Sequence, residues 1–178
     1  ADAHPSRNSP ATRSPAHLSV RPGTAMRPLY IFDLDGTLAL IDHRRPILDE
    51  TKNPNRWRDF FLACTKDEPN GPVIRTMRRL QAFADVWIWS GRSDEVRSQT
   101  MEWIATYTSI AYPEIPEILR MRPANDHSPD EVLKERWLCA LSWPDRRRLE
   151  AVFDDRSKVV AMWRSYGIPC FQVAPGDF

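Results

Sequence analysis

The chain has 178 residues, enough for one domain with a full hydrophobic core. Its 25 basic and 24 acidic residues nearly cancel, so bulk charge argues neither for nor against a nucleic-acid partner. No apolar run approaches the roughly 20 residues that span a bilayer, and the polar, proline-rich start is unlike a signal peptide. We therefore expect no membrane contact. The 3 cysteines, odd in number and without metal-ligand spacing, are expected to be reduced core or near-core thiols of a cytoplasmic protein.

Residues 1–27 differ from the rest, because prolines recur there among Ser, Arg, Ala and Thr. Such a segment cannot bury enough apolar surface to offset its ordering entropy, so we expect a flexible extension in front of a domain at 28–178. Met26 is a candidate for the original start of the protein. The alternative is a basic arm carrying Arg7, Arg13, Arg21 and Arg27.

Strand and helix patterns alternate from Pro28 onward. Strands are predicted at Leu29–Asp33, Asp85–Trp89, Glu117–Met121, Leu149–Phe153 and Cys170–Val173. Helices are predicted at Trp57–Cys64, at Val73–Ala84, over about 94–107, from Ser128 with Glu131 completing a capping box, and at Arg156–Tyr166. This alternation predicts an α/β, Rossmann-like fold, with a mostly parallel five-stranded sheet and helices on both faces.

Two acidic clusters directly follow predicted core strands. One is the run Asp33-Leu34-Asp35-Gly36-Thr37-Leu38, and the other is Asp154-Asp155. The carboxyl ends of parallel strands form the ligand-binding edge of such a sheet. Because stacked carboxylates repel one another and lose hydration, the clusters are costly unless a cation neutralises them. Oxygen ligands of this kind suit Mg²⁺, so the sequence predicts a magnesium site and phosphate chemistry.

Asp33 and Asp35 are candidates for a divided catalytic role. One carboxylate can attack phosphorus while the other exchanges a proton with the leaving oxygen, which requires one ionised group and one with a raised pKa. Gly36 permits the tight loop that would place them differently. A polar turn after a strand is the alternative, and the length of the motif favours the catalytic interpretation.

Two further motifs are weaker when taken alone. Ser90-Gly91-Arg92 follows a strand and is expected to open into a helix, so it offers a hydroxyl and backbone amides as a phosphate cradle, although Ser-Gly is usually a simple turn. Lys134 lies four residues after Asp130 on one helix face. The pair is either a surface ion pair or a phosphate-neutralising lysine held by its aspartate.

These four elements, in this order, resemble the motifs of the haloacid dehalogenase superfamily of phosphohydrolases. Within it, the run from Phe153 to Arg164, continuing to Phe178, resembles the end of the 3′-phosphatase domain of bacteriophage polynucleotide kinase–phosphatase. Arg44, nine residues after Asp35, and Arg92 match two essential arginines of that family. Asp130 and Lys134 match its Asp-x-x-x-Lys pair.

The resemblance implies a haloacid dehalogenase fold with a role for each motif residue. Asp33 would form an aspartyl-phosphate, and Asp35 would protonate the leaving oxygen and then activate water. Mg²⁺ would be held by Asp33, the backbone carbonyl of Asp35 and one of Asp154 or Asp155. The implied phosphate and substrate contacts are Arg44, Ser90, Gly91, Arg92, Asp130 and Lys134.

The implied substrates are DNA or RNA ends carrying 3′-phosphates, and RNA ends carrying 2′,3′-cyclic phosphates. The phage enzyme has an N-terminal kinase where this chain has only residues 1–27, so a separate polynucleotide kinase and ligase are expected partners. The location would be cytoplasmic, in the host if phage-encoded. A phosphatase of free nucleotides and a non-catalytic module that binds nucleic acid ends or partner proteins are the alternatives.

The site is expected to have a minimal cap. Ala39–Asn70 leaves room for one short helix, and the segment at 122–128 is too short for a lid, so a polymer end can enter. Trp57 and Trp137 are candidates for stacking on a base, although a core position is the commoner role of a tryptophan.

Overall fold

A computed structural model describes residues 26–176. Residues 1–25, most of the predicted extension, and residues 177–178 lie outside the described part. Arg27 is bound to the fold, since its Nη2 donates to the carbonyls of Gln81 and Ala84 at 2.9 and 2.8 Å. That arginine of the predicted basic arm therefore belongs to the folded part of the chain.

The main sheet has five strands, and every pairing in it is parallel. The strands are β1 (Leu29–Phe32), β4 (Asp85–Ser93), β5 (Leu119–Arg122), β6 (Leu149–Asp154) and β7 (Cys170–Gln172). Their order across the sheet is β5-β4-β1-β6-β7. A small antiparallel sheet joins β2 (Ala39–Leu40) to β3 (Glu68–Pro69). The predicted fold class is confirmed.

Helices cover both faces of the sheet. They are α1 (Pro46–Asp49), α2 (Arg56–Leu62), α3 (Gly71–Gln81), α4 (Arg97–Thr108), α5 (Ile115–Ile118), α6 (Asp130–Cys139), α7 (Trp143–Arg148) and α8 (Ser157–Ser165). On one face Phe32 packs in a core with Met77 of α3 and Ile104 of α4. On the other face Ile31 packs with Trp163 of α8 and Leu138 of α6. Alternate residues of β1 thus serve two cores, as a strand buried on both faces requires.

The cap between β2 and β3 contains two helices, α1 and α2, where the sequence predicted one. A 3₁₀ turn at Ala63–Lys66 completes it. No helix within residues 26–176 is long and apolar enough to cross a membrane.

Three local predictions are corrected. The predicted strand at Glu117–Met121 begins at Leu119, because Pro116 opens the short helix α5 before it. Ser128 does not cap α6; its hydroxyl bonds the neighbouring Asp126, and Pro129 stands at the cap position. Cys139 is exposed, whereas the other two cysteines are buried.

Candidate active site

Three carboxylates from distant parts of the sequence meet at the carboxyl edge of the sheet. Asp33 follows β1, Asp154 ends β6 and Asp155 comes next. The Asp33 N–H donates to the Phe153 carbonyl at 2.9 Å, so the adjacent strand ends are tied together. One oxygen from each carboxylate lies within 4.8 Å of the others, and all three residues are buried. Folding thus brings the two acidic clusters together at one site, as the sequence predicted.

The charges of this acidic cluster suit a hard cation. Burial raises the pKa of Asp33 well above its ordinary value; Asp154 and Asp155 add to this, and Lys134 opposes it. Burial, with help from Asp154, raises the pKa of Asp155 to about 7. The buried Asp155 Oδ1 has no hydrogen-bond partner among the described residues. An all-oxygen cluster with an unpaired buried atom fits Mg²⁺.

Two glycines allow the chain to pass close to the carboxylates of Asp155 and Asp130. Gly36 has a φ of +85°, and a Cβ built on it would lie 2.1 Å from Asp155 Oδ2. A Cβ on Gly91 would lie 2.6 Å from Asp130 Oδ1. Both positions therefore require the absence of a side chain, as well as a permissive backbone in the turn at Gly36.

Lys134 is buried inside the acidic cluster. Its ammonium donates to Asp33 Oδ1 at 2.5 Å and to Asp154 Oδ2 at 2.7 Å. Burial would lower the pKa of Lys134, but Asp154 and Asp33 outweigh burial and raise it, so the group stays charged. The interpretation as a surface ion pair is wrong, and Asp130 is not the residue that holds the ammonium. The Asp130 carboxylate instead accepts hydrogen bonds from Arg122 and Arg156.

Asp35 lies in a different environment from Asp33. Arg44 Nη2 donates to Asp35 Oδ1 at 2.8 Å, and Arg92 donates to the same oxygen, with its Nε at 3.1 Å. Burial would raise the pKa of Asp35, but Arg92 and Arg44 outweigh it and lower the pKa to about 2. The predicted contrast between the two aspartates is present, but the raised pKa is on Asp33. That is the reverse of what a proton-donating Asp35 needs. The spacing of residues in the sequence did not reveal that both arginines bind Asp35.

Asp67, which the sequence analysis missed, completes this arginine cluster. Its carboxylate accepts from Arg44 Nε and Nη2 and from Arg92 Nη2, each at 2.7 Å. Trp103 Nε1 donates to the Asp67 carbonyl at 2.8 Å. Two buried arginines are thus balanced by two carboxylates, and the side chains of both arginines are fully buried.

Ser90-Gly91-Arg92 lies inside β4 and not at the start of a helix. The next α-helix, α4, begins only at Arg97. The pairing of β4 with β5 shifts register between Ser90 and Ser93, which marks a local bulge. The Ser90 hydroxyl is buried and accepts from the Arg92 N–H at 3.1 Å. The predicted cradle is therefore a strand bulge, without amides from a helix N-terminus.

A cavity of about 510 Å³ opens beside Asp33 and Asp35. Gly91 and Asp130 also line it, whereas four of the predicted substrate contacts do not: Arg44, Ser90, Arg92 and Lys134. Arg122 and Arg156 line it too, and the sequence analysis did not single them out. Their positions gave the signal: Arg122 ends β5 and Arg156 follows Asp154-Asp155, so both stand at the carboxyl edge. Asp67 lies in the cap, where no strand pattern points to a site.

The sequence profile described as the polynucleotide kinase PNKP phosphatase domain matches residues 27–178. The chain belongs to this family. The resemblance to haloacid dehalogenase-type polynucleotide phosphatases is therefore confirmed, as is the predicted enzyme class, a phosphoric monoester hydrolase.

Several known proteins are similar to this chain in sequence or in fold. A protein of Autographa californica nuclear polyhedrosis virus, described as a bifunctional polynucleotide kinase/RNA ligase, is 34% identical over 139 residues, which is 77% of this chain and 18% of that protein. A chain of the Pnkp1/Rnl/Hen1 RNA repair complex is 31% identical with a TM-score of 0.66, covering 94% of this chain and 49% of that one. A class C acid phosphatase from Bacillus anthracis shares the fold, at 14% identity and a TM-score of 0.56, covering 87% of this chain and 69% of its own. This chain thus spans half or less of the first two relatives.

Proposed function

We propose that this domain is a Mg²⁺-dependent phosphatase that removes 3′-phosphates from DNA or RNA ends through an aspartyl-phosphate. The same activity would act on 2′,3′-cyclic phosphates of RNA. The observation that carries the proposal is the position of Asp33, which lines the cavity and also belongs to the acidic cluster beside Lys134. Family membership and the relatives in RNA repair support a nucleic acid substrate.

In the first step an Asp33 oxygen forms a bond to phosphorus, while the bond from phosphorus to the sugar 3′-oxygen breaks. Lys134 would offset the charge that grows on the transferring phosphate, together with Ser90 and the arginines around the site. Mg²⁺ held by Asp33, Asp154 or Asp155 and the Asp35 carbonyl would supply charge neutralisation at these oxygens.

Asp35 carries the proton transfers in this proposal. Its ionised form, held by Arg44 and Arg92, is the form that accepts a proton from the hydrolytic water. An anionic phosphate that arrives beside Asp35 raises the pKa of the Asp35 carboxyl by like-charge repulsion. The carboxyl can then carry the proton that it gives to the leaving sugar oxygen. Water then attacks the aspartyl-phosphate, which restores the Asp33 carboxylate and releases inorganic phosphate.

The wider assignments belong to the same proposal. A polynucleotide kinase and a ligase are the expected partners, because one relative is described as a kinase/ligase and two solved chains come from the Pnkp1/Rnl/Hen1 complex. The phosphatase domain would occupy 28–178 and act in a reducing cytoplasm, which agrees with its 3 free cysteines.

A phosphate-release panel tests the proposal. The substrates are 3′-phosphorylated DNA and RNA oligonucleotides, 5′-phosphorylated controls, 3′- and 5′-mononucleotides and glycerol 2-phosphate, each with Mg²⁺ and with EDTA. We expect Mg²⁺-dependent release that is fastest from the 3′-ends. Faster release from mononucleotides would establish the free-nucleotide alternative, and no release from any ester would establish a non-catalytic binding module.

A further inference from the structure

The cavity beside Asp33 has an aromatic wall made by one helix of the cap. Trp57, Phe60 and Phe61 of α2 all line it. Trp57 is 49% exposed, although Phe60 in the same helix is only 4% exposed. A large apolar ring that is exposed to water has a cost in free energy, which binding a flat apolar ligand would remove.

The contacts of Trp57 leave much of its ring open. Its centroid lies 6.1 Å from Phe60 in an edge contact and 6.2 Å from Phe61 at a tilt of 34°. The buried tryptophans Trp89, Trp103 and Trp163 are each at most 3% exposed, so they serve the core. Trp143 is also exposed, but it lies outside the cavity lining and Arg147 covers its ring at 4.7 Å.

The other tryptophan that was a candidate for stacking is accounted for by packing. Trp137 meets Trp89 edge-on at 5.7 Å, and Arg120 lies 5.8 Å from its ring centroid. It is not among the residues that line the cavity. Trp57 is therefore the tryptophan placed to meet a ligand in the cavity described here.

We infer that Trp57, supported by Phe61, stacks on the base of the terminal nucleotide whose phosphate reaches Asp33. The inference rests on the proposed function and makes its substrate class a nucleotide with an intact base. Every base has a π-face, so such a subsite accepts ends of any sequence. Arg58 lines the same cavity one residue later and adds a positive charge for the adjoining phosphodiester.

The test uses two oligonucleotides that both carry a 3′-phosphate, one with a normal terminal nucleotide and one with a terminal abasic analogue. We expect Trp57→Ala to raise KM for the base-ended substrate by about 10-fold, with kcat unchanged. KM for the abasic-ended substrate should stay within about twofold, since that end offers no π-face. Trp57→Phe should restore most of the loss, whereas Trp57→Leu, which keeps apolar volume without a ring, should not.

Trp143→Ala is the matched control, because it removes another exposed tryptophan away from the cavity. An unchanged KM in Trp57→Ala, or an equal loss on both substrates, would overturn the inference. Quenching of tryptophan fluorescence separates this result from a failure of the proposed function. Base-dependent quenching that Trp57→Phe abolishes supports stacking even if the parent releases no phosphate, and its absence overturns stacking even if the parent is active.

Discussion

The guanidinium group of Arg44 binds the carboxylate of Asp67 through two hydrogen bonds of 2.7 Å, from Nε to Oδ1 and from Nη2 to Oδ2. Both side chains are completely shielded from solvent. Such a pair is costly to bury, so its value lies in what it holds in place. Arg44 also contacts Asp35, and Asp67 also binds Arg92, so the pair fixes the surroundings of a motif aspartate.

We expect Asp67→Asn to destabilise the fold by about 3 kcal/mol or more, because it leaves two buried arginines with one carboxylate. Asp35 would lose its fixed position, so kcat should fall as well. Urea unfolding and phosphate release measure the two effects. The control is Asp42→Asn, which removes a pair at 3.8 Å whose carboxylate is 85% exposed and should cost less than about 1 kcal/mol. Equal effects of the two variants would contradict the buried network.

Gly36→Ala is expected to disturb the acidic cluster. Gly36 and Gly167 both have positive φ, of +85° and +72°, so alanine at either costs about 1–2 kcal/mol of backbone strain. Only the Cβ at position 36 would collide with Asp155, since nothing lies within 4 Å of the one at Gly167. Activity should fall about 100-fold in Gly36→Ala and change little in Gly167→Ala. Similar activity in two variants of similar melting temperature would show that Asp155 moves aside without consequence.

Asp33→Asn should abolish turnover and leave the fold intact. The amide keeps the shape of the side chain and relieves repulsion from Asp154 and Asp155, while it lacks the nucleophilic carboxylate. Acid quenching with a ³²P-labelled substrate should show protein-bound phosphate in the parent and none in the variant. Release of phosphate at near the parent rate would exclude the covalent mechanism, provided that circular dichroism shows a folded variant.

The three cysteines should differ in reactivity. Cys139 is exposed, whereas burial raises the pKa of the Cys64 thiol and raises that of Cys170 to about 12. The two buried thiols therefore stay protonated at pH 8, and they are inert because only the thiolate reacts. A thiol reagent such as Ellman's should titrate one group quickly in the native protein and all three after unfolding. Rapid titration of all three in the native state would mean that the core around Cys64 and Cys170 opens easily.

The sequence predicted most of the sheet edge, because residues that end parallel strands must converge there. Asp33, Asp154 and the buried apolar strands behind them needed no further information. The partners of Lys134 did not follow from sequence: helix spacing pointed to Asp130, whereas folding brings Asp33 from 101 residues away. The role of Asp67 could not be predicted from the sequence either, since it depends on how the cap packs against the sheet. Ser128 does not cap α6 because its hydroxyl donates a hydrogen bond to the nearby Asp126 carboxylate instead.

The segment between β2 and β3 has two duties. It supplies Trp57 to the cavity wall, and it also supplies Arg44 and Asp67, which set the electrostatics of Asp35. A different cap exchanged at this position would remove Arg44, which binds Asp35, and Asp67, which holds Arg92, together with the wall. In this chain, selection for a new substrate through the cap must therefore also rebuild the support of the motif aspartate.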